Sequence, residues 1–188
     1  MTTNKINRVI ETIPSLYQDK GFKDFKASGE LSLKKQTCID YAKGKLTKPS
    51  LVLCGNVGNG KTHLAVAIAK NFYLPKHKIV IRFIDADEFF FTLTDLASIG
   101  KSKLQYINEL MRYDLLILDD LGIANFTPAK QENLYFLINK YYQTGKRLII
   151  TTNFTMEDLE QIDARVPSRL HEMATIISFH FNDYRFNK

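Results

Sequence analysis

The chain has 188 residues, enough for one domain with a sizeable core, and a composition of 45% hydrophobic and 24% charged residues excludes a disordered or fibrous protein. No apolar run approaches the roughly 20 residues of a membrane helix, and the opening MTTNKINRVIETIP lacks the apolar centre of a signal peptide, so a cytoplasmic location is expected. The net charge of +6 is compatible with nucleic acid and equally with an ordinary basic surface.

In chain order, residues 1–45 read as a short N-terminal extension, partly helical, with a turn near Lys20–Gly21. They are too short to carry a core of their own, and residues 46–188 form the main domain. Leu51–Cys54 is the first predicted strand. After it, Leu64, Ile68 and Phe72 share one face of a helix that stops before Pro75. Ile79–Ile84 is the second strand. Asp85 with Glu88 then starts a helix carrying Phe89, Phe90, Leu93 and Leu96, and Ser102 with Gln105 resembles a capping box ahead of Leu104, Ile107 and Met111. Leu115–Leu118 is the third strand. Thr127–Pro128 opens a helix bearing Leu134, Leu137, Ile138 and Tyr141, which Gly145 closes. Leu148–Thr152 and Ala174–Phe181 complete the strands. This alternation implies an α/β fold with a mostly parallel sheet covered on both faces, its ligand at the carboxyl ends of the strands.

The chemistry sits at those ends. Gly55, four residues, then Gly60, Lys61 and Thr62 has the spacing of a P-loop. Chance gives such a match in a chain of this length at a rate on the order of one percent, and here it lies between a strand and a helix, as the mechanism requires. Gly55, Asn56, Val57, Gly58, Asn59, Gly60 and His63 belong to this nucleotide-binding segment. Backbone N–H groups would cradle phosphate oxygens, Lys61 would reach the β- and γ-phosphates, and the Thr62 hydroxyl would bind Mg²⁺. LLILDD, Leu115 to Asp120, ends an apolar strand in two acids: Asp119 for the Mg²⁺ shell and Asp120 to orient or deprotonate the attacking water. LIITTNF, Leu148 to Phe154, places Asn153 where an amide can hold that water and report loss of the γ-phosphate.

Further on, DARVPSRLHEM sets Arg165 and Arg169 four residues apart. Either is a solvated surface arginine or, in an oligomeric ATPase, a group that reaches the neighbour's γ-phosphate. FNDYR places Arg185 where it can touch the nucleotide of its own subunit, or simply ends the chain. Phe89–Phe91 and Lys101–Lys103 set aromatic and basic residues near one another, suiting single-stranded DNA, although at least two of the three phenylalanines are expected to pack inward. Cys38 and Cys54 suggest neither a metal pair nor a disulfide framework, and His63, His77, His171 and His180 lack zinc-ligand spacing.

Taken together, IPSLYQDKGFKDF, GNVGNGKTHLA, LLILDDLG, TTN, SRL and FNDYR resemble AAA+ ATPases of the DnaC/DnaI helicase-loader type and, equally, the IstB-type ATPases that assist transposition. The resemblance covers residues 13 to 186. It implies a P-loop NTPase three-layer sandwich with a parallel five-stranded sheet in the order 5-1-4-3-2. It implies ATP and Mg²⁺ as cofactors, Asn153 at the first sensor, Arg169 at the arginine finger with Arg165 as the fallback, and Arg185 at the second sensor. Its partners would be a hexameric replicative helicase, single-stranded DNA and further copies of the chain. Two departures stand out. Asp119–Asp120 replaces the common Asp-Glu pair, which implies slow hydrolysis. The chain also has no large segment ahead of the core and ends soon after the fifth strand, leaving no room for a helical lid. A small-molecule kinase would need an arginine-rich mobile lid; here the arginines gather at 165–169 and Asn153 occupies a sensor position. A switch that binds nucleotide but barely hydrolyses it is the remaining alternative.

Overall fold

The computed structural model describes residues 7–75, 78–122 and 126–179. Its strands are β1 (Asn7–Glu11), β2 (Ser50–Gly55), β3 (Lys78–Asp85), β4 (Leu115–Leu121), β5 (Arg147–Thr152) and β6 (Ala174–Phe179). Its α-helices are α1 (Glu30–Ala42), α2 (Lys61–Asn71), α3 (Ala86–Ser98), α4 (Lys103–Leu110), α5 (Pro128–Thr144), α6 (Met156–Ile162) and α7 (Arg165–Met173).

All pairings in the sheet are parallel, and the strand order is β1-β3-β4-β5-β2-β6. The five strands foreseen from the sequence keep the order 5-1-4-3-2, but the expected total needs correction, because a sixth strand is added at the edge. β1 lies beside β3 in the register Val9↔Val80 and Ile10↔Ile81. Its sequence, NRVIE, has only two apolar residues side by side and no alternation. What places it is the pairing with β3 and the side chain of Glu11, which accepts from Tyr113 Oη at 2.7 Å and lies 3.8 Å from Arg82.

The sheet separates two apolar layers, and the period-2 alternation of each strand decides which residues feed which layer. Leu51 and Leu53 of β2, Leu115 and Ile117 of β4, and Ile149 of β5 pack under α1 and α2. Val52, Cys54, Leu116, Leu118, Leu148 and Ile150 face the opposite layer of α3, α4, α5, α6 and α7. Burial of each such aliphatic side chain contributes about 1.5–3 kcal/mol.

The helices start and stop at local signals. Asp85 caps α3 by accepting from the Asp87 N–H at 2.8 Å, Ser102 caps α4 through the Gln105 N–H at 3.3 Å, and Thr127 caps α5 through the Lys130 N–H at 3.3 Å. Pro128 follows as the first residue of α5, and Gly145 ends that helix in the left-handed conformation at φ 62°. On α3, Phe89 and Phe90 are buried, whereas Phe91 is 74% exposed. Among the described residues no helix is long and apolar enough to cross a membrane.

Candidate functional site

The carboxyl ends of β2, β4 and β5 meet around a cleft of about 350 Å³. Val57, Gly58, Gly60, Lys61, Thr62, His63, Asp120, Thr151, Asn153 and Tyr17 line it. A larger groove of about 530 Å³ runs beside β6 past Lys48, Met156 and His171, and both the P-loop and the acid pair lie outside it.

The P-loop leaves β2 at Gly55 and enters α2 at Lys61. Two of its glycines are required by geometry. At Gly55, with φ 115°, a Cβ atom would stand 2.1 Å from the Phe179 carbonyl oxygen, and at Gly60, with φ 77°, it would stand 2.5 Å from the Phe25 ring. The loop is tied to β6 from below: the Asn56 N–H and the Asn59 side-chain amide both donate to the Phe179 carbonyl, at 3.1 and 3.3 Å. Lys61 is 6% exposed, and its ammonium donates to the carbonyls of Gly55 at 2.8 Å and Asn56 at 2.7 Å. The loop thus curls around its own lysine, beside the N-terminus of α2.

The acids lie opposite. Asp119 ends the regular part of β4 and is 6% exposed. Burial raises its carboxyl to about 6, opposed by hydrogen bonds from the hydroxyls of Thr151 and Thr62. The Thr151 hydroxyl donates to Asp119 Oδ1 at 2.6 Å and accepts from the Asp120 N–H at 2.9 Å. Asp120 itself has φ 53°, rare for a residue with a side chain, and the β4–β5 register shifts between Leu118 and Leu121. This irregularity turns Asp120 out of the strand. Its Oδ1 accepts from Asn153 Nδ2 at 3.0 Å at the mouth of the cleft. Thr152 braces the turn from beneath, donating to the Leu121 carbonyl at 2.6 Å and accepting from the Phe154 N–H at 3.0 Å.

The fourth wall is a segment from before the core. Residues 15–25 form two 3-10 turns that lie against α2. Lys70 donates to the carbonyls of Tyr17 at 3.1 Å, Gln18, and Lys20 at 2.6 Å. His63 Nε2 lies 2.8 Å from the Gly21 carbonyl, and the His63 ring meets Phe25 edge-on at 5.3 Å. Tyr17 and Thr151 are cleft residues that sequence reasoning did not single out. Tyr17 sits within the IPSLYQDKGF stretch, and Thr151 stands two residues ahead of Asn153 on the same strand. Both became visible only through their packing.

The expected residues therefore divide. Val57, Gly58, Gly60, Lys61, Thr62, His63, Asp120 and Asn153 line one cleft, Asp119 is buried behind its Thr151 wall, and Gly55, Asn56 and Asn59 lie against Phe179. Arg165 and Arg169 do not join them. They lie on α7 against the outer face of α5, where Arg165 pairs with Asp163 at 2.7 Å and Glu132 at 3.1 Å, and Arg169 Nε donates to Asn139 Oδ1 at 2.6 Å. Arg185 lies outside the described residues.

The residues present fit a Mg²⁺–nucleotide. The loop supplies a buried ammonium at the N-terminus of α2, and the Thr62 hydroxyl interacts with the Asp119 carboxylate, a hydroxyl–carboxylate set suited to a hard cation.

Comparison with known proteins gives the same direction. A family model described as IstB-like ATP binding protein matches residues 12–185. The phage-like element PBSX protein XkdC of Bacillus subtilis (strain 168) is 28% identical over 190 residues, covering 93% of this chain and 70% of XkdC. The chromosomal replication initiator protein DnaA of Pseudothermotoga lettingae is 33% identical over 137 residues, which cover 71% of this chain but 30% of that protein. Among solved structures, the DnaC helicase loader superposes with a TM-score of 0.77 at 25% identity, covering 88% of this chain and 99% of that one.

Proposed function

The chain belongs to the IstB-like ATP binding protein family, and on that premise we propose that it is a Mg²⁺-dependent ATPase that acts with a hexameric replicative helicase on single-stranded DNA, as a helicase loader or a loader-like replication accessory. One observation carries the hydrolytic part: Asp120 is turned out of β4 by a left-handed backbone and held 3.0 Å from the Asn153 amide, facing the P-loop. A carboxylate so presented is placed to orient a water or accept its proton.

In this reading Lys61 leaves the carbonyls of Gly55 and Asn56 for the β- and γ-phosphates, and the loop N–H groups close on the phosphate oxygens. Thr62 and Asp119 hold the cation, which, when bound, neutralises charge developing on the phosphates. Asp120 accepts the proton of the attacking water, or orients it, while Asn153 fixes the carboxylate and the water together. Tyr17 and His63 close the cleft above the loop. Arg169 acts on the nucleotide of a second copy, since α7 lies away from the cleft of its own chain, and Arg185 would contact the nucleotide from within its own subunit.

The match along 99% of the solved DnaC helicase-loader chain supports the loader reading. The match to the IstB-like ATP binding protein family keeps a second reading, that of an ATPase assisting transposition. ATP turnover measured with Mg²⁺, with and without a single-stranded oligonucleotide, tests the first part: DNA-stimulated hydrolysis is expected, and nucleotide binding without turnover would leave only a switch. Co-purification from the native cell separates the two readings, a hexameric helicase supporting the loader and a transposase the helper.

A further inference from the structure

We propose that Asn139, Tyr135 and Tyr142 are positioning residues that hold Arg169 with its terminal Nη groups presented to the γ-phosphate bound by a second copy of the chain; this deepens, and rests on, the reading of Arg169 given above. The outer face of α5 carries Glu132, Tyr135, Asn139 and Tyr142 at intervals of three and four residues, a single stripe against α7. The facing stripe of α7 is Arg165, Arg169 and Glu172. The two stripes interleave. Arg165 lies 3.8 Å over the Tyr135 ring, and Arg169 sits between Tyr135 and Tyr142, at 5.2 and 5.4 Å from their centroids. Tyr142 is itself anchored, its hydroxyl donating to Glu172 at 2.6 Å.

The two arginines differ in how their donors are used. Arg165 spends Nε and Nη2 on Asp163 and Glu132. Arg169 spends Nε alone, on Asn139 at 2.6 Å, and among the described residues no carboxylate pairs with it and its Nη groups have no hydrogen-bond partner. The acceptor is a neutral amide in a neighbourhood that includes Glu132, Asp163 and Glu172. A neutral acceptor fixes the plane of the guanidinium and leaves its charge unspent, whereas a carboxylate would compete with an incoming phosphate. Two aromatic faces remove much of the rotational freedom that a long side chain would otherwise lose on docking.

The test mixes chains. An Arg169→Ala chain has an intact cleft and no finger, and a Lys61→Ala chain has the finger and no working cleft; assembled on a single-stranded oligonucleotide, the mixture is expected to hydrolyse ATP faster than the sum of its parts. The Lys61→Ala donor is then compared with donors that also carry Asn139→Ala or Asn139→Asp, with assembly and melting temperature checked for each. Asn139→Ala should reduce the recovered turnover by at least about tenfold, within the roughly hundredfold that an ångström of misplacement costs, with KM for ATP unchanged. Asn139→Asp should fail as well, because it keeps the bond but takes the charge; a merely structural role would be satisfied by it. In the single chain, the Arg169 Nε–H resonance should be protected from exchange and lose that protection in Asn139→Ala. If both Asn139 variants donate as well as the unaltered finger, the positioning proposal is wrong and the role of Arg169 stands. If Arg169→Ala alone hydrolyses ATP like the wild type in the same assembly, the reading across subunits fails, and the positioning proposal falls with it.

Discussion

Thr151 Oγ1 lies 2.6 Å from Asp119 Oδ1, in a position where both side chains are almost wholly shielded from solvent. The same oxygen accepts the Asp120 N–H, so one hydroxyl sets both acids. Without it, the part-buried Asp120 N–H loses its partner, at a cost of up to about 1–3 kcal/mol, and one of the contacts that hold the left-handed Asp120 is gone. Thr151→Val should therefore lower kcat roughly 10- to 100-fold while nucleotide affinity changes little, and Thr151→Ser should restore turnover. Steady-state kinetics on the two variants decide it; equal rates for valine and serine would remove the hydroxyl from the account.

Asp120→Asn should bind ATP normally and hydrolyse it about 10²- to 10⁴-fold more slowly, the range attributed to a general base. The amide fits beside Asn153 but accepts no proton. Wild-type turnover in this variant would move the role to another group, with Asp119 the first to re-examine.

Lys61→Ala should abolish or greatly weaken nucleotide binding, since the loop loses the cation around which it is curled. Binding of a fluorescent ATP analogue with Mg²⁺ measures this, and undiminished affinity would show that the cleft is not the nucleotide site.

Much of this site was legible because its signals are local. The P-loop is a spacing, the acids end an apolar run, and Asn153 follows another; each needs only the few residues around it. What could not be read depends on partners remote in the chain. β1 exists through its pairing with β3, some seventy residues away, and through Tyr113 on Glu11. The left-handed Asp120 is supported by Thr151 on the adjacent strand, and nothing in LLILDD signals it. The stripe of Tyr135, Asn139 and Tyr142 looks like any amphipathic helix until α7 is laid against it. Periodicity did settle Phe89 and Phe90 as core, and the same periodicity leaves Phe91 outside.

That exposed ring carries the last prediction. Phe91 is 74% exposed, and Ile99 and Leu104, at 56% and 47%, are exposed apolar residues that lie close in sequence to Lys101 and Lys103. A solvent-facing phenylalanine contributes little to the fold, so Phe91→Ala should leave the melting temperature nearly unchanged. Bases stack on such rings with about 1–3 kcal/mol each, which corresponds to a loss of roughly 5- to 150-fold in affinity for single-stranded DNA. Replacing Lys101 and Lys103 by Ala should act differently: affinity should fall for every sequence, and the slope of log K against log salt should shrink by about 0.7 for each phosphate that is no longer neutralised. Fluorescence anisotropy with a labelled oligothymidine across a salt series, ATP present, separates the two effects. Unchanged affinity in both variants would place the DNA-binding surface on another face, and absence of binding by the wild-type chain at low salt would remove single-stranded DNA from the proposed function.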